Sequence, residues 1–273
     1  NIVGGDLTGV VDQVVVSNIV ANRGTLTFTG DSNGGNGSSE QTVTGHIGES
    51  GKAISAMNVG GASNLNHANV TLNGDVYANS VDIRSDNTGA TFDSHLTMTS
   101  GRHLTGTVTT NVNGMGDLTL AGGAQSLTGI VGASSLRLDT VTSGANDATS
   151  TFTGRIYATN VNNSAAGTSN YQNDVTATNV GVLAGTSNFV KGLTATTTTI
   201  STGTGNFNTD DTSVTNSAIA FNDEGTANLH TGLTGDIAFA GNDATVNLWD
   251  GQEIAGATTT SINDTGIINV KGG

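Results

Sequence analysis

With 273 residues, 40 glycines, no proline and no cysteine, the chain has neither disulfides nor thiolate metal sites, and Thr, Ser and Asn supply most of its polarity, since only 11% of residues are charged. A net charge of −14 with only 8 Lys and Arg excludes nucleic acid as a partner, because too few cations are present to neutralise phosphates. No stretch approaches 18 apolar residues, so no membrane insertion of this segment is expected.

Asn1 begins neither with Met nor with a basic and then apolar leader, and the chain therefore reads as an excised part of a longer polypeptide. From there a five-residue motif recurs: apolar, any, Gly, any, apolar. It appears as Leu7-Thr8-Gly9-Val10-Val11, Val43-Thr44-Gly45-His46-Ile47, Leu72-Asn73-Gly74-Asp75-Val76 and Leu104-Thr105-Gly106-Thr107-Val108. Further copies are Leu127-Thr128-Gly129-Ile130-Val131, Phe152-Thr153-Gly154-Arg155-Ile156 and Leu233-Thr234-Gly235-Asp236-Ile237. Between Gly9 and Gly154 the motif glycines step by 23 to 36 residues, the scale of one coil of an irregular solenoid.

Longer matches exclude coincidence. Gln41 to Ser50 matches Gln125 to Ser134 in Gln, Thr, both Gly and Ser. Gly24-Thr25-Leu26-Thr27-Phe28 precedes the first copy as Gly116-Asp117-Leu118-Thr119-Leu120 precedes the second, with Gly235 to Gly241 a third relative. Thr71 to Asn79 likewise matches Thr151 to Thr159. Disorder, which Leu, Ile, Val and Phe at roughly 22% would border on, is excluded by this repetition.

Alternation predicts strands at Leu26-Thr27-Phe28, Leu118-Thr119-Leu120 and Leu136-Arg137-Leu138, each with its apolar residues on the inner face. Gly34-Gly35-Asn36-Gly37 predicts a corner, and no segment holds helical spacing for twelve residues. The fold class is therefore all-β: an elongated parallel β-solenoid with essentially no helix. It is expected as one continuous unit over 1–273, with a weaker repeat in 165–273.

Gly-x-Leu-Thr-Phe-x-Gly followed by Gln-x-Val-Thr-Gly-x-Ile-Gly resembles the passenger regions of rickettsial-type outer-membrane autotransporters. The resemblance lies chiefly in residues 24 to 60 and 116 to 141. It implies a bacterial cell-surface or secreted β-helix that forms a surface layer or binds a host receptor or glycan. No series of ten-residue amphipathic strands with aromatic girdles marks a membrane barrel in these residues.

For chemistry, acidic turns offer calcium candidates at Asp147, Asp210, Asp211, Asp223, Asp243 and Asp264. None matches a calcium-binding β-roll or EF-hand pattern, and Asn or Asp beside Gly or Thr makes turns through its own side chain, which is the favoured reading. His46, His67, His95, His103 and His230 have no zinc spacing, and Arg84, Arg102 and Arg137 stand in no catalytic motif, so no catalytic or cofactor-binding residue is assigned. Thr194 to Thr204 could present a threonine array to ice or carbohydrate, but the varying glycine steps argue against regular rungs and for an ordinary Thr-rich strand. Trp249, the single Trp, is expected to cap a core or pack on a neighbour.

The expected function is an extracellular structural or adhesive solenoid without catalysis. Its alternative is a subunit of a filament or sheath, joined head to tail to neighbouring copies through open solenoid ends. A polysaccharide-acting enzyme or ice-binding protein is the remaining reading.

Overall fold

A computed structural model describes residues 21–29, 39–61, 67–85, 93–99, 101–145, 147–210, 212–240, 243–261 and 266–271. The first motif copy, at Leu7 to Val11, and the Gly34 to Gly37 corner lie outside these residues.

Alternating side chains leave one face of each strand apolar, and that face can be buried only by turning the chain back on itself. The strands do so by pairing with the strand one turn away. One ladder runs through Arg23–Phe28, Ile54–Val59, Val76–Ile83, His103–Thr110, Gln125–Thr128, Thr149–Phe152, Thr168–Tyr171, Thr186–Phe189, Thr204–Phe207, Thr226–Leu229, Thr245–Trp249 and Ile267–Lys271. The other runs through Ser39–Val43, Ala68–Leu72, His95–Met98, Asp117–Leu120, Leu138–Ser143, Ile156–Asn163, Val175–Val182, Leu193–Ile200, Thr215–Phe221, Leu233–Thr234 and Ile254–Ala255. Strand neighbours in both ladders are parallel, for example Thr168 opposite Thr186 and Val175 opposite Leu193. The chain is an all-β parallel solenoid, and no helix occurs among the described residues.

The longer strands bend. In Ile156–Asn163 the buried residues are Ile156 and Ala158, then Val161 and Asn163, so the alternation slips by one residue at Thr159 and Asn160. A slip of one residue turns the second half onto a new side while keeping its apolar residues inside. Val175–Val182 and Leu193–Ile200 slip at the same place, which gives each regular coil three pairing sides.

The interior is a column of like residues. Phe152, Tyr171, Phe189 and Phe207 are at most 1% exposed and stack with ring centroids 5.3, 4.8 and 5.3 Å apart. Those separations follow the rung spacing of about 4.8 Å, two of them slightly wider. Phe221 and Phe239 form a second stack at 5.1 Å. The Tyr171 hydroxyl is satisfied by Ser143 Oγ at 3.2 Å, which also meets Ser169 Oγ at 2.8 Å.

The recurring glycines mark corners where backbone lies on backbone. A Cβ on Gly129 would sit 2.2 Å from the Gly106 carbonyl oxygen, and its φ of +137° is in any case closed to L side chains. Gly154 stands in the same relation to Gly129, and Gly74 to Gly45.

The longest sequence match is one structural device used twice. Gln41 and Gln125 are buried and donate through Nε2 to the carbonyls of Thr29 and Thr99, both at 2.8 Å. Ile47 and Val131 then bridge to Val76 and Ile156, and a short excursion follows, closed by the antiparallel bridges Glu49 to Lys52 and Ala133 to Leu136. Leu136 was expected to face inward, but it sits on this excursion and is 39% exposed; the strand begins only at Leu138. Alternation misleads there because the two leucines flank the return from a turn rather than lying in one strand.

Candidate functional site

Beyond residue 149 the outer surface of one side carries two files of polar residues. The strands read Thr168-Ser169-Asn170-Tyr171, Thr186-Ser187-Asn188-Phe189, Thr204-Gly205-Asn206-Phe207, Thr226-Ala227-Asn228-Leu229 and Thr245-Val246-Asn247-Leu248. The second and fourth residues point inward, so Thr and Asn point outward. Pairing keeps them in register over every coil from Thr149 to Thr245.

The asparagines are tied to one another. Asn188 Nδ2 donates to Asn170 Oδ1 at 2.7 Å, Asn206 to Asn188 at 2.6 Å, and Asn228 to Asn206 at 2.6 Å. Asn247 continues to Asn228 at 2.8 Å and Asn269 to Asn247 at 3.2 Å. Sequence separations along this file are 18, 18, 22, 19 and 22 residues, yet no rung is skipped. Coil length varies in the loops, whereas the ladder holds the strands in step. The glycine motif thins in this region and does not reveal the file; the signal is Thr, a small residue, Asn and a ring or Leu.

The threonine run at Thr194 to Thr204 is not such an array, apart from Thr204, which stands in the outward Thr file. Its central strand turns Thr194 and Thr199 outward, but their neighbours on adjoining rungs are Thr176 and Asn216, and Gly181 and Ala220. Trp249 packs on neighbouring rungs, stacked on His230 at 4.0 Å with Lys271 Nζ 4.5 Å from the ring.

The acidic turns are separate. Asp147 is exposed in a turn at φ +54°, and Asp243 is exposed. Asp210 accepts from the Thr212 amide at 3.1 Å and the Thr212 hydroxyl at 2.8 Å. Burial acts to raise the Asp210 pKa, but these bonds, the Ser213 amide and Lys191 outweigh it and hold it below the usual carboxylate range. Asp223 accepts from the Glu224 amide at 2.9 Å. Asp211 and Asp264 lie outside the described residues.

The carboxylates that do converge among the described residues are others: Asp93, Asp117 and Asp139, with oxygens within 4.8 Å of one another. Asp117 opens the Asp117–Leu120 strand, opposite His95 one rung below, and Asp139 lies on the rung above. His95 Nδ1 meets Asp117 Oδ2 at 2.8 Å, and that hydrogen bond, against the opposing effect of burial, raises the imidazole pKa. Burial, then the Asp117 charge, raises Asp139, and burial is the leading cause of the raised Asp93 pKa. Three carboxylates on consecutive rungs are more than twenty residues apart in sequence, so no local motif announces them.

Of the other histidines, His46 Nδ1 accepts from the Asp75 amide at 3.0 Å, and His103 Nδ1 meets Ser126 Oγ at 2.7 Å. Neither is joined to a second imidazole.

No protein family, curated protein or solved structure matches the chain.

Proposed function

We propose that the chain is an extracellular structural or adhesive β-solenoid without catalysis, of the kind carried as the passenger of bacterial surface autotransporters. Its partners are neighbouring copies of itself and a host-surface receptor or glycan. The observation that supports this reading most is the continuity of the two parallel ladders from Arg23 to Lys271, which commits the sequence to building an extended polar surface. The residues spent on this are Thr, Ser, Asn and Gly, chosen for stacking, while Asp174, Asp210 and Asp236 of the last coils stand at turns.

A second reading is a filament or sheath subunit joined end to end, in which strands of successive copies would pair in parallel as successive coils do within the chain.

Electron microscopy of the native material at neutral pH, with and without a calcium chelator, tests both. Separate rods a few nanometres wide that bind cells or glycans support the adhesive passenger; long fibres with a regular axial repeat support the filament. Compact particles with enzymatic turnover on polysaccharide would overturn both readings.

A further inference from the structure

The geometry points to the Thr and Asn face, from the Thr149–Phe152 strand to the Thr245–Trp249 strand, as an adsorption surface for ice. The face is periodic in two directions. Along the solenoid both files repeat at the rung spacing of about 4.8 Å, and within a strand Thr and Asn stand two residues apart, about 6.6 Å. Hydrogen bonds of about 2.75 Å meeting at a tetrahedral angle separate second-neighbour water oxygens by about 4.5 Å. Waters held by successive rungs are thus spaced nearly as an ice lattice requires.

The face is also neutral. These six strands contain no Asp, Glu, Lys or Arg, in a chain of net charge −14. Ionic groups would hold hydration shells of their own and break the lattice. The files are preorganised: each Asn amide is tied to the next at 2.6 to 2.8 Å between Asn170 and Asn247, and β-branched Thr has few rotamers to lose. Little entropy remains to be lost when water orders on the surface.

Sugar binding fits the same face less well. Its aromatic rings from Phe152 to Phe207 are turned into the core, and the one Trp is covered by His230 and Lys271 at the end of the face. The irregular coil lengths that argued against regular rungs are taken up between strands, while Thr204 stays opposite Thr226 although 22 residues separate them.

The test uses the whole chain. Freezing-point hysteresis, ice shaping and partition of a fluorescently labelled chain into growing ice are measured for the wild type, for Thr186→Tyr/Thr204→Tyr in mid-face, and for Thr199→Tyr on another side. The expected result is hysteresis and faceted crystals for the wild type and Thr199→Tyr, with loss of both in the double variant at unchanged circular dichroism. If the double variant does not fold, Thr186→Lys must give the same loss through its charge. A folded wild type with no hysteresis and no faceting overturns the proposal. So does equal loss in Thr199→Tyr, or adsorption to crystalline cellulose or chitin without any effect on ice.

Discussion

Phe189 occupies the middle of the aromatic column, with Tyr171 at 4.8 Å on one side and Phe207 at 5.3 Å on the other, and is 1% exposed. Phe189→Ala removes a fully buried ring and leaves a cavity between two rigid rungs that cannot collapse without breaking ladder bonds. Core Phe to Ala changes cost about 3–5 kcal/mol, and this site belongs at the upper end. Phe189→Leu keeps most of the volume but loses two stacked ring pairs of about 0.5–1.5 kcal/mol each, so about 1–3 kcal/mol is expected. Because each coil touches only its neighbours, the loss should be local. Native-state hydrogen exchange is the assay: amides of Thr168–Tyr171, Thr186–Phe189 and Thr204–Phe207 should lose protection, while Ile54–Val59 and Val76–Ile83 keep theirs. A cost below about 1 kcal/mol for the alanine variant, or equal loss of protection along the whole chain, would refute the stacked-column argument.

Three further outcomes are expected. Gly129→Ala places a methyl 2.2 Å from the Gly106 carbonyl at a forbidden φ and should cost about 3 kcal/mol or more by urea denaturation; Gly101→Ala, at φ +71° with open space around it, should cost only about 1–2 kcal/mol. Asn206→Ala breaks one ladder bond on each side and should cost about 1–2 kcal/mol in the same measurement, while Asn206→Asp, which keeps the acceptor but not the donor, should not restore the loss. Asp93, Asp139 and His95 all have folded pKa values raised above their ordinary 3.8 and 6.5. Each therefore adds stability below its unfolded value that is lost as pH rises through the folded one, first for the carboxylates and then for the imidazole. Melting temperature should fall across that window, and Asp139→Asn should flatten the acidic part of the profile; an unchanged profile would contradict the cluster geometry.

Much of the fold was legible because its causes are local. Alternation at Leu26-Thr27-Phe28 and Leu118-Thr119-Leu120 names the buried face of each strand, and the Gln41 and Gln125 matches correspond to the same bridge and excursion. Leu136 shows the limit, since two leucines at spacing two fit a strand and a turn return equally well. The candidate surface was harder to see. Asn170, Asn188, Asn206 and Asn228 stand at unequal sequence steps, and loops of different length hide a file that the ladder makes regular.

The sequence by itself determined that this chain is built of half-buried strands, that glycine holds its corners, and that repetition rather than disulfides stabilises it, because side-chain alternation and backbone freedom are properties of neighbouring residues. Only the tertiary structure decided which coil lies on which. Hydrogen bonds between rungs fix register without regard to loop length, and register alone brings Asp93, Asp117 and Asp139 together and lines up the Thr and Asn files on one neutral face.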